Sequence, residues 1–570
     1  MDYRETYALW KEKLAGSPWY EELTALEQDE EALKNACWQW VEFGTAGMRG
    51  VIGPGPNQLN VFTVRRATQG LADYINSLGR AGDGVAIAYD SRRNSGLFAR
   101  ETALVLAANG VRAWLYPQYT SVPQLSFSIL QLHCAAGVVI TASHNPAKYN
   151  GYKLYGADGG QVANQVADAV LSYINAIDDP FAIQPLEEDQ ALAQGLLRYV
   201  GPELDDAYIE AVKAMCPERE LLQQQGSQLS IVYTPLHGTG MRTVPRILKE
   251  LGLSRLQVVA EQSGPDPDFP TVDAPNPEYS QAFDLARQLA DREGAGLLLA
   301  TDPDCDRLGL AVRLPDGDFA LLNGNQTGCL LLDYLLSRTQ TQPGDFAVRS
   351  LVSAPLADAI CRHYGVEPRQ VLTGFKYISE QIRQSLESGR GRFRFGFEES
   401  YGCLAGDYCR DKDAALAAML AASAACWYAK QGLNLYQALQ RLYQKYGYYS
   451  EQVLSFTREG TAGISAISRA VERLREQPPA ALAGEEILAW RDYKTGRRLD
   501  AAGRESALAP PRANILYYEL PQASLIVRPS GTEPKLKAYI SVNAPQPDQA
   551  EAARERLVRA AQQLIQDLLA

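Results

Sequence analysis

Four times along this chain an apolar, strand-like run passes without a break into a polar loop dense in reactive side chains. GVVI (137–140) leads into TASHNPAKYNGYK, GLLLA (296–300) into TDPDCDR, FRFGF (393–397) into EES, and SLIV (524–527) into RPSGTEPKLK. Runs this uniformly apolar read as strands buried on both faces. Such strands need helices to cover them, and helical stretches do intervene: Ser95 to Asn109, stopped by Gly110, and VPRILKELG after the loop that follows SIVYT (230–234). The pattern predicts an α/β fold with its chemistry in loops at strand ends.

At 570 residues the chain exceeds what one hydrophobic core supports, so three or four domains are expected. The strand-and-loop rhythm starts afresh near residues 208 and 321. GVAIAYD (84–90), Val111 to Tyr116, AVRSLV (347–352) and QVLTG (370–374) are further strand candidates. From about residue 447 the texture changes. ILYYEL, ASLIV and a closing helix from Asp548 to Ala570 fit an α+β domain, with QPPAAL (477–482) as a loop inside it. The expected domains are 1–207, 208–320, 321–446 and 447–570, the first opening with an acidic helical segment over residues 2–40.

Charge and cysteine usage exclude some partners. A formal net charge of −12 argues against nucleic acid or an acidic membrane, since phosphate backbones select basic surfaces. Nine cysteines with no CxxC pair read as free thiols in a reducing compartment. MDYRETYALWKEKL has no apolar core of a secretory signal, and the alanine-rich run Ala414 to Cys426 is too short to span a bilayer. A cytoplasmic protein is expected.

The loops suggest what it does. Ser143, after a buried strand and before His-Asn-Pro, sits at an exposed, constrained turn. It can be a nucleophile if activated, or simply a helix cap. No GxSxG elbow and only four histidines speak against a serine hydrolase. Asp302, Asp304 and Asp306 alternate, so an extended backbone would put all three on one face, with Cys305 packing on the other. Crowded carboxylates repel unless a cation neutralises them, and oxygen ligands suit magnesium. A solvated acidic turn is the alternative. An EF-hand is excluded by Arg307 and Arg313 at its glycine and glutamate positions. Glu398 and Ser400, two apart, would point the same way on an extended backbone and suit vicinal hydroxyls. Arg528, Ser530, Gly531 and Thr532 combine a guanidinium fork, hydroxyls and open backbone amides, the makings of an anion site. GxGxxG, GxxxxGK and HExxH are all absent.

In order, GTAGMRG, TASHNP, DPDCDR, GFEES and RPSGTEPK resemble the α-D-phosphohexomutase superfamily, in its long phosphoglucomutase and phosphopentomutase-like branch, over roughly residue 40 to the end. The resemblance implies a four-domain, heart-shaped enzyme: three similar α/β domains with mixed sheets and a TATA-binding-protein-like α+β domain. It implies exchange of a phosphoryl group between α-D-glucose 1-phosphate and glucose 6-phosphate, through phosphorylated Ser143 and a glucose 1,6-bisphosphate intermediate that also primes the enzyme. Mg2+ would be held by Asp302, Asp304, Asp306 and a Ser143 phosphate oxygen. Glu398 and Ser400 would hold sugar hydroxyls, and Arg528, Ser530, Gly531 and Thr532 the phosphate not being transferred. TGFKYI, with Thr373, Gly374 and Lys376, resembles the segment that reads sugar orientation. Arg49, His144, Lys153, Arg307 and Lys412 fall where the family places cleft charges. CRDKD resembles a REKD segment, which makes Lys412 the preferred general acid/base, with Lys153 and His144 as rivals. One departure is Tyr401-Gly402-Cys403, where shorter members carry Gly-His. Substrate choice stays open between glucose, mannose and pentose phosphates, as do bisphosphate synthesis and a silent sugar-phosphate-binding regulator. The partner is a small sugar phosphate, bound by a monomer or homodimer.

Overall fold

The computed structural model describes residues 2–44, 47–458, 460–530 and 535–569, without the side chains of 460–462. The chain divides into two compact units, Met1–Val348 with Gly374–Tyr436, and Arg349–Thr373 with Gln437–Ala570.

The first unit holds two mixed sheets. In the seven-stranded sheet the spatial order is Phe43–Gly44, Gly47–Val51, Tyr149–Gly156, Ala136–Ile140, Val85–Tyr89, Ala113–Leu115 and Leu197–Tyr199. The last four run parallel, whereas Tyr149–Gly156 returns antiparallel to Ala136–Ile140. Every residue of Ala136–Ile140 is buried, as its unbroken apolar run predicts. Helix Val61–Ser77 opens with a capping box in which Asn60 and Thr63 satisfy each other's backbone amides. It packs Val64, Ala67 and Leu71 into the core that Val85, Ile87 and Val138 share.

The second sheet runs Phe319–Leu322, Leu308–Arg313, Leu297–Thr301, Ile231–Thr234, Leu256–Val258, with its last three strands parallel. Further along, Arg392–Phe397 pairs antiparallel with Cys403–Ala405. Helix Ala414–Ala429 packs against Leu308–Arg313 and Cys403–Ala405 and is buried at every position from Ala414 to Cys426. A helix apolar all round belongs inside a protein of this size, and no helix among the described residues is long and apolar enough to cross a membrane.

The acidic N-terminal segment forms three α-helices, Tyr3–Lys13, Trp19–Ala25 and Glu30–Cys37, the last two joined through a 3-10 turn at Leu26–Gln28. All nine cysteines are free and buried.

The second unit carries a seven-stranded sheet, antiparallel throughout, in the order Tyr448–Thr457, Lys535–Ala544, Ala523–Pro529, Leu516–Glu519, Ala489–Asp492, Arg497–Asp500, Glu505–Ala507. Helices Gly460–Glu476 and Pro547–Leu569 cover it, through Val471 and Leu474 on one and Leu557 and Ile565 on the other. The stretch QPPAAL is not wholly loop, because Ala481–Leu482 pairs with Glu485–Glu486.

Candidate active site

The serine loop begins where two parallel strands end together. Register pairs Tyr89 with Ile140, so Asp90 and Thr141 leave the sheet side by side. Ser143 follows at φ +52°, a left-handed conformation that costs a non-glycine residue about 1–2 kcal/mol. Its surroundings impose that shape. Thr141 Oγ1 accepts the Ser143 amide at 2.8 Å and donates to Asp90 Oδ2 at 2.6 Å. The buried Arg92 guanidinium donates to the Ser143 and Asn145 carbonyls at 2.5 Å each, and to those of Pro146 and Tyr149 at 3.0 and 3.1 Å. Asp90 Oδ2, 3.3 Å away, balances its charge, and the Phe269 ring lies beneath it at 5.0 Å. No helix follows Ser143, which sets aside the capping alternative.

Held this way, Ser143 Oγ donates to Asp302 Oδ2 at 2.7 Å and lies 3.2 Å from His144 Nδ1. The aspartate loop is not extended, as its alternation suggested. Cys305 donates its amide to the Asp302 carbonyl at 3.0 Å from φ +56°, and the amides of Asp306 and Arg307 reach Asp302 Oδ1 at 3.1 and 3.0 Å. An aspartate that captures the amides ahead of it folds the chain into a turn. The carboxylates converge all the same: one oxygen from each of Asp302, Asp304 and Asp306 lies within 4.8 Å of the others, and all three residues are buried. Cys305 is fully buried beside them, the packing residue it was expected to be.

These carboxylates fit a divalent cation. Among the described residues, Asp304 Oδ1 and Asp306 Oδ1 are buried without a hydrogen-bond partner. Burial, and then the charges of Asp304 and Asp306, push the Asp302 carboxyl well above the usual carboxylate range. Burial opposes ionisation of Asp304 as well, but the Lys153 ammonium at 2.9 Å, together with Asp302 and the Lys412 charge, outweighs it and holds that carboxyl below its usual range. A hard dication would occupy the free lone pairs and remove the repulsion.

Cations ring the triad. Lys153 belongs to Tyr149–Gly156 and reaches Asp304. Lys412 Nζ lies 3.1 Å from Asp306 Oδ2 and 3.2 Å from Asp411 Oδ1. Burial opposes its charge, yet Asp306, Asp411 and Glu398 together raise it above the ordinary lysine value. Arg307 spans Glu278, at 2.6 Å, and the triad, with Nε 3.9 Å from Asp302 and 3.8 Å from Asp306. Arg49 is exposed and donates to Asn145 Oδ1 at 3.1 Å. Burial, then the Arg307 and Arg49 guanidiniums, keep the His144 imidazole well below its ordinary value.

The sugar-loop residues are arranged differently from expectation. Glu398 to Gly402 bends between two paired strands, closed by a 2.9 Å bond from the Glu398 amide to the Gly402 carbonyl, so Glu398 and Ser400 do not share an extended face. Glu398 is buried and accepts the Gly374 amide at 2.8 Å, which brings those two segments together, while Ser400 is half-buried. Lys376 instead donates to Asn164 Oδ1 at 2.7 Å. In the second unit, Thr373 Oγ1 is buried with no hydrogen-bond partner among the described residues. Arg528 pairs with Lys537 one residue before its strand ends, and Ser530 donates its amide to the Lys535 carbonyl at 2.8 Å. Gly531 and Thr532 lie outside the described residues.

Sequence reasoning missed Asp90, Arg92 and Asp411. Asp90 and Arg92 follow the candidate strand GVAIAY as DSRRNS, so the rule that located the other loops, a charged segment directly after a buried run, also marks this one.

Comparison with known proteins agrees with this architecture. Three family models match in order: phosphoglucomutase/phosphomannomutase alpha/beta/alpha domain I over residues 41–180, domain II over 206–316 and domain III over 323–446. A phosphoglucomutase of Staphylococcus saprophyticus is 36% identical over 542 residues, covering 94% of this chain and 96% of its own. One from Staphylococcus epidermidis is 37% identical over 520 residues, covering 91% and 92%. Among solved structures, the open form of Paramecium parafusin, a phosphoglucomutase, superposes with a TM-score of 0.69 at 16% identity, covering 92% of this chain and 95% of its own. A phosphoglucomutase/phosphomannomutase family protein of Burkholderia thailandensis gives 0.67 at 18%, covering 92% and 97%. Three α/β domains in family order, a further C-terminal domain and relatives matched nearly end to end lead to one conclusion: this chain belongs to the phosphoglucomutase/phosphomannomutase family.

Proposed function

We propose that this protein is a phosphoglucomutase that interconverts α-D-glucose 1-phosphate and glucose 6-phosphate through a phosphorylated Ser143. The observation that carries the reading is Ser143 Oγ, fixed 2.7 Å from Asp302 within a buried acidic triad ringed by Lys153, Lys412 and Arg307. The names of the staphylococcal relatives support glucose as the sugar.

Phosphorylated Ser143 gives its phosphoryl group to a free sugar hydroxyl: the Oγ–P bond breaks, a sugar O–P bond forms, and the hydroxyl proton leaves to a base. The product, glucose 1,6-bisphosphate, reorients and returns its other phosphoryl group to Ser143. Such transfer needs positioning and charge neutralisation more than covalent help. Mg2+ held by Asp302, Asp304, Asp306 and a serine phosphate oxygen would neutralise charge on the transferred group. Lys412 is the preferred proton carrier, with Lys153 and His144 also at hand. Glu398 and Ser400 are assigned to sugar hydroxyls, Gly374, Lys376 and Thr373 to orientation, Arg49 and Arg307 to the transferred phosphate. Arg528, Ser530, Gly531 and Thr532 are assigned to the other phosphate. Nine free thiols favour a reducing cytoplasm.

The test is a coupled assay on α-D-glucose 1-phosphate with Mg2+ and a trace of glucose 1,6-bisphosphate, with ribose 1-phosphate and mannose 1-phosphate in parallel. Bisphosphate-primed turnover of the glucose ester is expected, and loss of it in a folded Ser143→Ala variant. Preference for the pentose or mannose ester would change the substrate; no turnover of any ester would favour a sugar-phosphate-binding protein.

A further inference from the structure

Lys412 is buried with its side chain only 9% exposed, and its route to the triad is narrow. Its backbone is pinned at both sides. Asp411 Oδ1 accepts the Lys412 amide at 2.8 Å, while the next residue, Asp413, donates its amide to the Cys403 carbonyl at 2.9 Å and caps helix Ala414–Ala429. From there the aliphatic stem crosses Gly402. A Cβ built on Gly402 would lie 2.0 Å from Lys412 Cδ, 2.8 Å from Cγ and 3.0 Å from Cε, so the lysine stem occupies the space a side chain there would need. The ammonium emerges 5.4 Å from the Phe375 ring centroid, between Asp306 Oδ2 and Asp411 Oδ1. Asp411 is itself steadied on its far oxygen by the Tyr155 hydroxyl at 2.7 Å and Gln161 Nε2 at 3.1 Å.

We infer that Gly402 is a positioning residue for the transfer reaction: its missing side chain is the slot through which Lys412 reaches the triad. The Gly402 carbonyl accepts the Glu398 amide that closes the sugar loop, so the same residue fixes the bend carrying Glu398 and Ser400 and the path of the lysine. Phe375, at the start of helix Phe375–Ser388, bounds the ammonium and directly follows Gly374, whose amide Glu398 holds. Any side chain at position 402 forces the lysine stem aside. A flexible stem yields more readily than backbone, so the fold survives and the ammonium is lost from its place.

The inference rests on the proposed mutase activity and on a role for Lys412 in it, and the experiment separates the three. Wild type, Gly402→Ala, Lys412→Met and the double variant are compared in the primed glucose 1-phosphate assay, with thermal unfolding alongside. A displacement of this size at a reacting group is expected to lower kcat by about 10²-fold, with KM far less affected. In the Lys412→Met background, where the ammonium is already absent, Gly402→Ala should cost nothing further. Gly402→Ala at wild-type kcat, or one that lowers Lys412→Met by the same factor again, overturns the inference. An inactive wild type counts against the mutase reading, and a fully active Lys412→Met against the lysine's role; either also removes the ground for this assignment. Should Gly402→Ala not fold, Gly402→Ala/Lys412→Ala decides. Recovery of folded protein supports the slot, and continued failure overturns it, because the clashing stem is gone.

Discussion

At the scale of single residues, the site depends on one side chain holding another's backbone. Arg92 spends its guanidinium on four carbonyls of the Ser143 loop rather than on any ligand. Lysine at that position would keep the charge but lose the planar fork, and arginine and lysine are not interchangeable in such a role. Arg92→Lys should therefore lower kcat by about 10²-fold through a misplaced Ser143 and leave KM nearly unchanged. Its loop amides, read by hydrogen exchange over residues 141–150, should lose protection. Normal kcat with unchanged exchange would show that the clamp does not hold the loop. This residue also marks where sequence reading ran short. Ser143, Asp302, Asp304 and Asp306 stand out because their types are rare in such density after an apolar run. Arg92 works through backbone carbonyls and Asp90 through the hydroxyls of Thr141 and Ser95, partners that no residue type announces. The turn in DPDCDR was invisible for a related reason: alternation says which side chains share a face only if the backbone is extended, and Asp302 captures two amides that bend it.

At the scale of elements, burial decides what a helix cap is worth. Asp29 and Asp413 both accept two amides at a helix start. Asp29 opens the largely exposed helix Glu30–Cys37, so Asp29→Ala should cost about 1 kcal/mol. Asp413 is fully buried and also accepts the Tyr208 and Tyr408 hydroxyls at 2.8 and 2.6 Å. Asp413→Ala would also orphan two phenols, one buried and one half-buried, each worth about 1–3 kcal/mol, so the loss should reach about 3 kcal/mol or more. Chemical denaturation of both variants tests this, and equal losses would mean the phenols find other partners. The strands themselves were legible because buried parallel strands are written as unbroken apolar runs, as in Val85–Tyr89 and Leu297–Thr301. The pairing of Ala481–Leu482 with Glu485–Glu486 was not, since two residues carry no periodicity and QPPAAL reads as a loop.

At the scale of the whole molecule, the two units have separate cores and so separate stabilities. Val64, Val85 and Val138 belong to one core, and Val471, Leu525 and Leu557 to another. A chain of this kind need not unfold in one step. The triad lies in the first unit alone, and there the folded state carries an electrostatic burden that a cation would lift. The sign follows from Asp302. Its carboxyl is raised above the usual value, so the cation-free folded state keeps this proton to higher pH than the unfolded chain, which releases it near pH 4. Stability from this group is therefore lost as pH rises above about 4. A divalent cation bound by the triad would take the place of that proton, so the stabilisation Mg2+ gives should grow with pH. Scanning calorimetry at pH 5 and 7.5, with and without Mg2+, reads this directly. At 100 times its Kd, Mg2+ should add about 2.7 kcal/mol to the first unit, leave the second unit's transition in place, and shift less at pH 5. Asp304→Asn should weaken the response by removing one ligand charge. If both transitions move equally, or Asp304→Asn responds like wild type, the ion binds elsewhere and the triad is only an acidic turn held shut by Lys153 and Lys412.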